Sequence, residues 1–371
     1  MALTRIQPPA VADVREPNFR NICINGDMAV AQRGTTATGI GNGDNACHTV
    51  DRFSFYEEGT TSGEFTMSQD TDVPTGQGFA KSVKLDCTTA DGTLAAAEVV
   101  ALEYKMEGLD LQYLKKGTSN AESLTLTFWV KTNKTGTYVV NFYDNDNDRQ
   151  TSQNYTVSVA DTWEKKTITF APDTSGTLTN DNTLALAMYF ILGAGTTYTS
   201  GSAATAWEVF TGNADNWAGG QTVNMLDSTS NYINITGVQL EAGSVATDFE
   251  VVPYDQSFFR CQRYCVIGGR EQVYNEIGNL GIAFSTTQAD NNIYLYQPMR
   301  TIPSLTQSGS FQLSDASSAS ATTSITLMTT QSSSNNVSLR SVVSSGLTDK
   351  RPYRLEAANS AAAYILLSAE L

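Results

Sequence analysis

The segment Ser123-Leu-Thr-Leu-Thr-Phe-Trp-Val-Lys131 places Leu124, Leu126, Phe128 and Val130 at every second position. This spacing puts the four apolar side chains on one face of a β-strand. Similar short segments recur between clusters of Gly, Asn, Asp and Thr, at 136–143, 153–159, 164–170, 184–192 and 232–240. Many strands at short spacing with polar turns predict an all-β fold, with a jelly-roll β-sandwich over residues 21–253.

The flanking segments have other patterns. Residues 1–20 contain Pro8, Pro9 and Pro17 and lack apolar periodicity, which predicts an extended arm that docks on a partner or a neighbouring copy. Residues 254–275 predict a linker with a short helix, because Phe258, Cys261 and Cys265 fall at helical spacing before Gly268-Gly269.

Residues 276–371 predict a second, smaller β domain. Between 307 and 347, 19 of 41 residues are Ser or Thr, a composition found in disordered segments and in polar strands alike. The alternation in Ser310-Phe-Gln-Leu-Ser314 and Ser324-Ile-Thr-Leu-Met328 favours strands. A β domain of this size has a thin core, which association of copies would help to stabilise.

Charge is divided unevenly along the chain. The net charge is −15, yet residues 258–371 hold 8 Lys or Arg and 7 Asp or Glu, so they carry +1 and the remainder carries −16. An acidic surface argues against nucleic-acid binding, which needs basic groups to displace phosphate counterions. Acidic loops suit either calcium binding or solubility alone.

Neither a leader nor a membrane segment is expected. The start lacks the apolar core of a signal peptide, and no run approaches the roughly 18 apolar residues that a spanning helix needs. We therefore expect assembly in a cytoplasm, without membrane insertion. The five cysteines are scattered and odd in number, which predicts buried thiols; Cys261 and Cys265 lack two further partners for a metal.

Four segments carry a resemblance to a family. Asn21-Ile-Cys-Ile-Asn-Gly-Asp-Met-Ala-Val-Ala-Gln-Arg-Gly34, followed by Asp51-Arg-Phe53, resembles the opening of many bacteriophage tail and fibre proteins. Residues 235–250, containing Leu240-Glu-Ala-Gly243, resemble the close of the same sandwich. Cys261-Gln-Arg-Tyr264 is similar to their linker, although Cys265 replaces the usual second aromatic, and Ser368-Ala-Glu-Leu371 resembles their end.

The resemblance implies a carbohydrate-binding-module-like jelly roll followed by a small β domain, within a phage virion structural protein. It implies a homotrimeric tail fibre or receptor-binding protein, joined to other virion proteins through its arm and contacting a host-surface glycan. A capsid or head-surface decoration protein without a ligand is the alternative. We interpret the motif residues as structural: Phe249 plugs the sandwich, and Glu241 and Glu250 face out or cap the turn.

Catalytic chemistry is sparse. The single histidine, His48, is adjacent to Cys47, so on a strand their side chains point to opposite faces and cannot form a nucleophilic pair. No nucleophile elbow accompanies it, and we expect a hydrogen-bonded loop residue. Paired carboxylates could hydrolyse a glycan, but no pair stands out and no β-helix repeat is present. The sequence therefore predicts a protein that is not an enzyme and needs no cofactor.

Two binding sites are candidates. Asp144, Asp146 and Asp148 match the start of a calcium loop, but Arg149 and Tyr155 break the pattern and a hairpin tip is the competing interpretation. For a glycan, exposed aromatic rings beside amides and carboxylates are needed. The Gly-rich stretch offers Trp207, Asn213, Asp215 and Trp217, and Tyr143 with Asp144 is a second option; packing of both tryptophans in the sandwich competes with this assignment.

Overall fold

The computed structural model describes residues 19–371 except Glu271 and Ala316. The predicted N-terminal arm lies outside the described residues apart from Phe19 and Arg20. Arg20 forms an ion pair with Glu241, with 3.2 Å between Nε and Oε1, and donates a hydrogen bond to the carbonyl of Asp248. The described end of the arm therefore docks on the chain's own sandwich.

Twelve strands build the sandwich. They are β1 (Thr36–Gly41), β2 (Phe53–Glu58), β3 (Glu64–Asp70), β4 (Ser82–Thr89), β5 (Val99–Glu107), β6 (Leu124–Thr132), β7 (Gly136–Asp144), β8 (Arg149–Val157), β9 (Glu164–Phe170), β10 (Leu184–Ala194), β11 (Glu208–Val209) and β12 (Tyr232–Ala242). Short helical turns lie at Gly108–Asp110, Gln112–Leu114, Ala214–Asn216 and α1 (Thr196–Thr199).

The strands form two antiparallel six-stranded sheets. The first has the order β1-β3-β4-β12-β6-β9 and the second the order β11-β8-β7-β10-β5-β2. Their facing sides enclose one large core, in which Leu126, Phe128 and Val130 of β6 are fully buried. The all-β prediction is confirmed, and it holds because alternate side chains fill the space between the sheets.

The opening and closing motifs lie side by side. The Asn21 side chain donates to the carbonyl of Val238 at 3.0 Å and accepts from the N–H groups of Cys23 and Leu240, both at 3.0 Å. Gly26 is in such close contact with Val238 that a Cβ at residue 26 would lie 2.0 Å from the Val238 carbonyl oxygen. These motif residues therefore fix the opening segment against strand β12 of the first sheet.

The linker helix is shorter than predicted. Helix α2 spans Tyr254–Cys261, and Cys265 instead begins strand β13 (Cys265–Gly269). The predicted stop at Gly268-Gly269 was wrong, because both glycines pair in β13 with the end of the chain. All five cysteines are free, and all but Cys47 are fully buried.

The C-terminal part is also made of strands. These are β14 (Gly281–Ala283), β15 (Gln288–Tyr294), β16 (Ser304–Ser308), β17 (Phe311–Ser314), β18 (Ala319–Leu327), β19 (Asn336–Val343), β20 (Pro352–Ala357) and β21 (Tyr364–Ser368), with a 3₁₀ turn at Thr329–Gln331. A closed barrel has the order β14-β15-β19-β18-β17-β20, and β13-β21-β16 form a small sheet. The Ser/Thr-rich stretch thus forms strands β17 to β19, as its alternation predicted.

An ionic network joins the sandwich to the C-terminal part. Arg52 is buried, forms an ion pair with Glu370, donates to the carbonyl of Lys105 at 2.6 Å and stacks 3.4 Å from the centre of the Tyr264 ring. The Arg263 guanidinium forms a bidentate pair with the Glu107 carboxylate, at 2.8 and 2.6 Å.

The network contains further buried charge. Arg33 lies between Asp51 and Glu370, with N···O distances of 3.7 and 3.2 Å. The four segments that carry the family resemblance all contribute side chains to the sandwich edge or to this joint. Their residue types therefore have a structural explanation.

Asp51 makes the stability of this joint depend on pH. Burial raises the pKa of Asp51 to about 6, although Arg33 and the hydrogen bonds from Gln32 oppose the rise. The folded state then binds more protons than the unfolded state between about pH 4 and 6, so this group contributes stability that is lost as pH rises through that window. When the pH is lowered from 7 to 4, we expect the free energy of unfolding of the wild type to rise by up to about 3 kcal/mol relative to that of Asp51→Asn.

The comparison between the two proteins isolates Asp51, because the other carboxylates titrate in both. Urea unfolding at several pH values measures it. A difference in unfolding free energy that stays constant across this range would contradict the raised pKa.

No helix among residues 19–371, as far as the structure describes them, has the length and apolar character needed to cross a bilayer.

Candidate functional site

The loop between β10 and β12 does not form the predicted glycan platform. Trp217 is only 5% exposed and packs against Tyr56, Tyr189 and Tyr198, with ring centroids 6.3, 5.0 and 5.7 Å apart. This aromatic cluster lies on the outer face of the second sheet and is covered by the loop itself. Trp217 therefore anchors the loop, as the competing interpretation held.

The Trp207 side chain is also packed within the sandwich. Its indole Nε1 donates to the carbonyl of Ala171 at 2.9 Å, and the Lys116 ammonium lies 4.3 Å from the centre of its ring. The ring contacts the main core, whereas Trp217 belongs to the separate outer cluster. The two tryptophans are therefore not part of one surface.

Of the polar residues in the same loop, Asn213 contacts the backbone through its side chain, whose amide donates to the carbonyl of Val209 at 2.8 Å. Asp215 makes its contact through its own backbone, because its carbonyl accepts from the N–H of Gly201 at 3.0 Å. With Trp217 buried and Trp207 packed on the core, the four predicted residues do not form one exposed surface.

The Asp144–Asp148 string forms a hairpin tip, not a calcium loop. Asp144 and Arg149 pair across the β7–β8 hairpin, and Asp144 Oδ1 accepts from the N–H groups of Asp146 and Asn147 at 3.0 and 3.1 Å. The Asp146 carboxylate accepts from the N–H of Thr179, while that of Asp148 accepts from Tyr143 and Thr211. The three carboxylates therefore have separate partners.

An internal cation already neutralises the buried carboxylates there. Lys116 Nζ forms an ion pair with Asp144, lies 2.7 Å from Asp173 Oδ2 and donates to the carbonyl of Gly176 at 3.2 Å. Among the residues that the structure describes, no group of three or more His, Cys, Asp or Glu side chains could hold a metal ion. The calcium assignment is corrected accordingly. In the second glycan option, the half-buried Tyr143 ring packs edge to face on Phe210, and its hydroxyl donates to Asp148 at 3.1 Å.

His48 is a loop residue before β2, as expected. Its Nε2 lies 2.9 Å from Asp44 Oδ2. Burial lowers the pKa of His48, although the Asp44 carboxylate opposes this shift. The carboxylate nearest to His48 is therefore that of its own loop.

A groove on the outer face of the first sheet is the candidate site. Since Phe128 and Val130 point into the core, Trp129 must point outward from β6. In the sheet register Trp129 lies opposite Lys165 of β9 and Thr236 of β12. The half-buried indole thus forms part of the floor of an open groove of about 250 Å³.

Two phenylalanines from loops form the wall of this groove. Phe79 and Phe249 meet edge to face with ring centroids 5.0 Å apart. Strand β12 has a register shift between Thr236 and Gln239, and Gly237 lies there with φ +61°. A Cβ at residue 237 would lie 2.6 Å from the Phe79 ring, so both the backbone conformation and the close contact require glycine.

The position of Phe249 corrects one prediction. It does not plug the sandwich but lies on the outer face of the sheet, where it lines the groove. Gln239 holds its segment by donating to the carbonyl of Asp248 at 3.1 Å and accepting from the N–H of Glu250 at 2.6 Å. Glu241 is buried and accepts from the N–H of Thr247 at 3.1 Å, so it caps the turn.

Polar groups complete the rim. Gln77 and Lys165 are exposed at the groove, and Lys165 has no ion-pair partner among the described residues. Burial raises the pKa of Asp27, although a hydrogen bond from the N–H of Ala29 opposes the rise, so this carboxylate takes part in its own turn. The groove thus combines aromatic rings with amide, ammonium and carboxylate groups, a set suited to holding a polyhydroxylated ligand without covalent chemistry.

Sequence reasoning missed this groove, although one signal was available. The alternation that assigned Leu126 and Phe128 to the core also places Trp129 outside. The outward position alone does not mark a binding face, because single apolar residues are common on protein surfaces. Phe79 and Phe249 had no comparable signal, because both lie in loops.

No protein-family model matches the chain, and a search of curated proteins finds no match. Solved structures give distant similarities. The enzymatically active domain of tailspike protein 4 from bacteriophage CBA120 is 13% identical over 60% of this chain, with a TM-score of 0.31, and the match spans only 22% of the tailspike domain.

Two further similarities are to carbohydrate-binding modules. A family 11 module from Clostridium thermocellum is 9% identical, with 58% of this chain and 99% of the module covered and a TM-score of 0.29. The tandem CBM22 modules of Paenibacillus barcinonensis Xyn10C are 10% identical over 92% of this chain and 99% of theirs, with a TM-score of 0.24. Similarities with TM-scores this low carry no information about the function or the binding site of this chain.

Proposed function

We propose that this protein is a non-enzymatic adhesion component of a bacteriophage virion, of the tail-fibre or receptor-binding type, that binds a host-surface glycan in the Trp129 groove. The observation that carries the proposal is the half-buried indole of Trp129, which points away from the core into an open groove between Phe79, Phe249 and Lys165. The assignment to a virion rests on the sequence resemblance, and the homotrimer rests on that resemblance together with the thin core expected of the C-terminal domain. Assembly in the host cytoplasm is part of the same proposal.

The chemistry of the groove suits glycan binding. An indole face offers a rigid apolar surface for the C–H groups of a sugar ring, while amide and ammonium groups donate hydrogen bonds to its hydroxyl oxygens.

Trp129→Ala tests the site. We expect the purified full chain to bind a subset of glycans on an array or on host cells, and the variant to bind the best of them about 10- to 100-fold more weakly, because it loses a large apolar contact worth ~1.5–3 kcal/mol. Calorimetric titration with that glycan measures the change. Tyr113→Ala, an exposed aromatic of the sandwich outside the groove, is the matched control and should bind like the wild type.

Other outcomes would point elsewhere. Unchanged affinity in Trp129→Ala would remove the groove as the site. Absence of binding to any host glycan or cell would favour the decoration protein without a ligand. Release of reducing ends from a host polysaccharide would identify a hydrolase.

A further inference from the structure

The C-terminal barrel carries large apolar side chains on its outer face. Along the β14–β15 hairpin, Ala283, Ala289 and Asn291 are buried, while the alternate positions face outward and include the polar residues Asp290 and Asn292. The large exposed side chains on this face and on the residues that continue it form a surface that we call the apolar stripe: Leu280, Ile282, Phe284, Tyr294 and Tyr296. An exposed group of large apolar side chains is typical of a surface that binds another molecule.

An apolar pocket adjoins the stripe. It has a volume of about 230 Å³, and its lining combines Tyr294, Tyr296 and aliphatic side chains such as Val266 and Leu295 with the polar residues Gln262, Glu276 and Gln297. Tyr296 is 95% exposed at its rim. A projecting aromatic ring and an apolar pocket on one domain are the complementary elements that allow two copies of a chain to bind each other.

The charge distribution favours a second copy as the occupant. Residues 258–371 carry a net charge of +1, whereas the rest of the chain carries −16. Copies that meet through their sandwiches would oppose two strongly acidic bodies, and copies that meet through the C-terminal part would not. Beside the stripe, Arg340 pairs with Asp290 at 2.8 and 2.9 Å and lies 4.5 Å from the centre of the Phe284 ring, so the charges are already neutralised.

The area is also of the right order. The five stripe side chains expose on the order of 500 Å², since a large apolar side chain offers roughly 150–250 Å². The pocket wall adds to this, and a stable interface needs about 800 Å² from each partner. We propose that the apolar stripe and its pocket form the surface through which copies of this chain associate. The inference rests on the homo-oligomer part of the proposed function and is independent of glycan binding.

The double variant Ile282→Glu/Tyr296→Glu tests the surface. Both side chains are exposed, so the charges should leave the fold intact while opposing burial of the stripe. Light scattering coupled to size exclusion should give the wild type a mass that is a multiple of 40.0 kDa and the variant a mass near 40.0 kDa. Val245→Glu, which places the same charge at a 74% exposed valine of the sandwich, should keep the wild-type mass.

The outcomes separate the two proposals. If the wild type and the double variant are equally oligomeric, the apolar stripe is not the surface of association, but the proposal of a homo-oligomer is unaffected. A monomeric wild type at micromolar concentration would overturn both, without touching the Trp129 groove. If circular dichroism shows that the glutamates disturb the fold, Tyr294→Ser/Tyr296→Ser removes the rings without adding charge, and its mass decides in the same way.

Discussion

Replacing Arg52 with methionine is expected to lower the free energy of unfolding by about 3 kcal/mol, because it removes one partner of a buried ion pair. The side chain is 2% exposed, and its charge serves Glu370, the carbonyl of Lys105 and the Tyr264 ring at once. We place the loss at the lower end of the range for buried pairs because Arg33 still pairs with Glu370 at 3.2 Å in the variant. Urea unfolding measures the change.

The control for this prediction is Arg354→Met. Arg354 also pairs with a carboxylate, that of Glu276 at 2.9 Å, but both side chains are exposed. Exposed ion pairs contribute about 0–1 kcal/mol to stability, so the free energy of unfolding of the control should be close to that of the wild type. Equal effects in the two variants would show that the joint contributes no more than surface charge.

Replacing Lys116 with methionine should lower the free energy of unfolding by about 3–5 kcal/mol, at least as much as the Arg52 substitution. The reason is that the buried Asp144 carboxylate loses its cation. Methionine fills a similar volume but carries no charge and donates no hydrogen bond. The decrease in unfolding free energy therefore measures the loss of the ammonium group and not the creation of a cavity. Arg149 still holds Asp173 through bidentate contacts of 2.8 and 2.9 Å, which leaves Asp144 as the uncompensated group.

Lys115→Met is the matched control for Lys116. The two lysines are adjacent, but Lys115 forms an exposed pair with Glu122 at 2.7 Å and should contribute less than about 1 kcal/mol. Thermal unfolding of the wild type with and without calcium completes the test. A rise in Tm on adding calcium would restore the metal assignment of Asp144, Asp146 and Asp148.

Much of the fold was predictable because it depends on local alternation. The period-two pattern of β6 and the strands β17 to β19 could be read from the sequence, since a strand with one buried face needs apolar residues at alternate positions. The helix α2 was placed correctly but extended too far, because Cys265 pairs with Ser368, a contact between residues distant in sequence. The joint around Arg52 was not predictable for the same reason.

The site was harder to predict. Loop composition suggested Trp207 and Trp217, but tertiary packing buries Trp217 among tyrosines and holds Trp207 under the Lys116 ammonium. Conversely, Trp129 looked like one more strand residue. Its groove exists because the β12 register shift at Gly237 lets Phe79 approach the sheet, and neither the shift nor the approach is encoded in the residues that flank Trp129.

Closure of the C-terminal barrel limits how copies can combine. A sheet with a free edge can add strands from further molecules without end, which is the route to fibrils, whereas six strands paired in a ring have no edge strand. Copies that meet through the barrel wall therefore do so by side chains. Where the rotation between neighbouring copies closes a symmetric ring, every such surface is covered and assembly stops at a fixed number of chains.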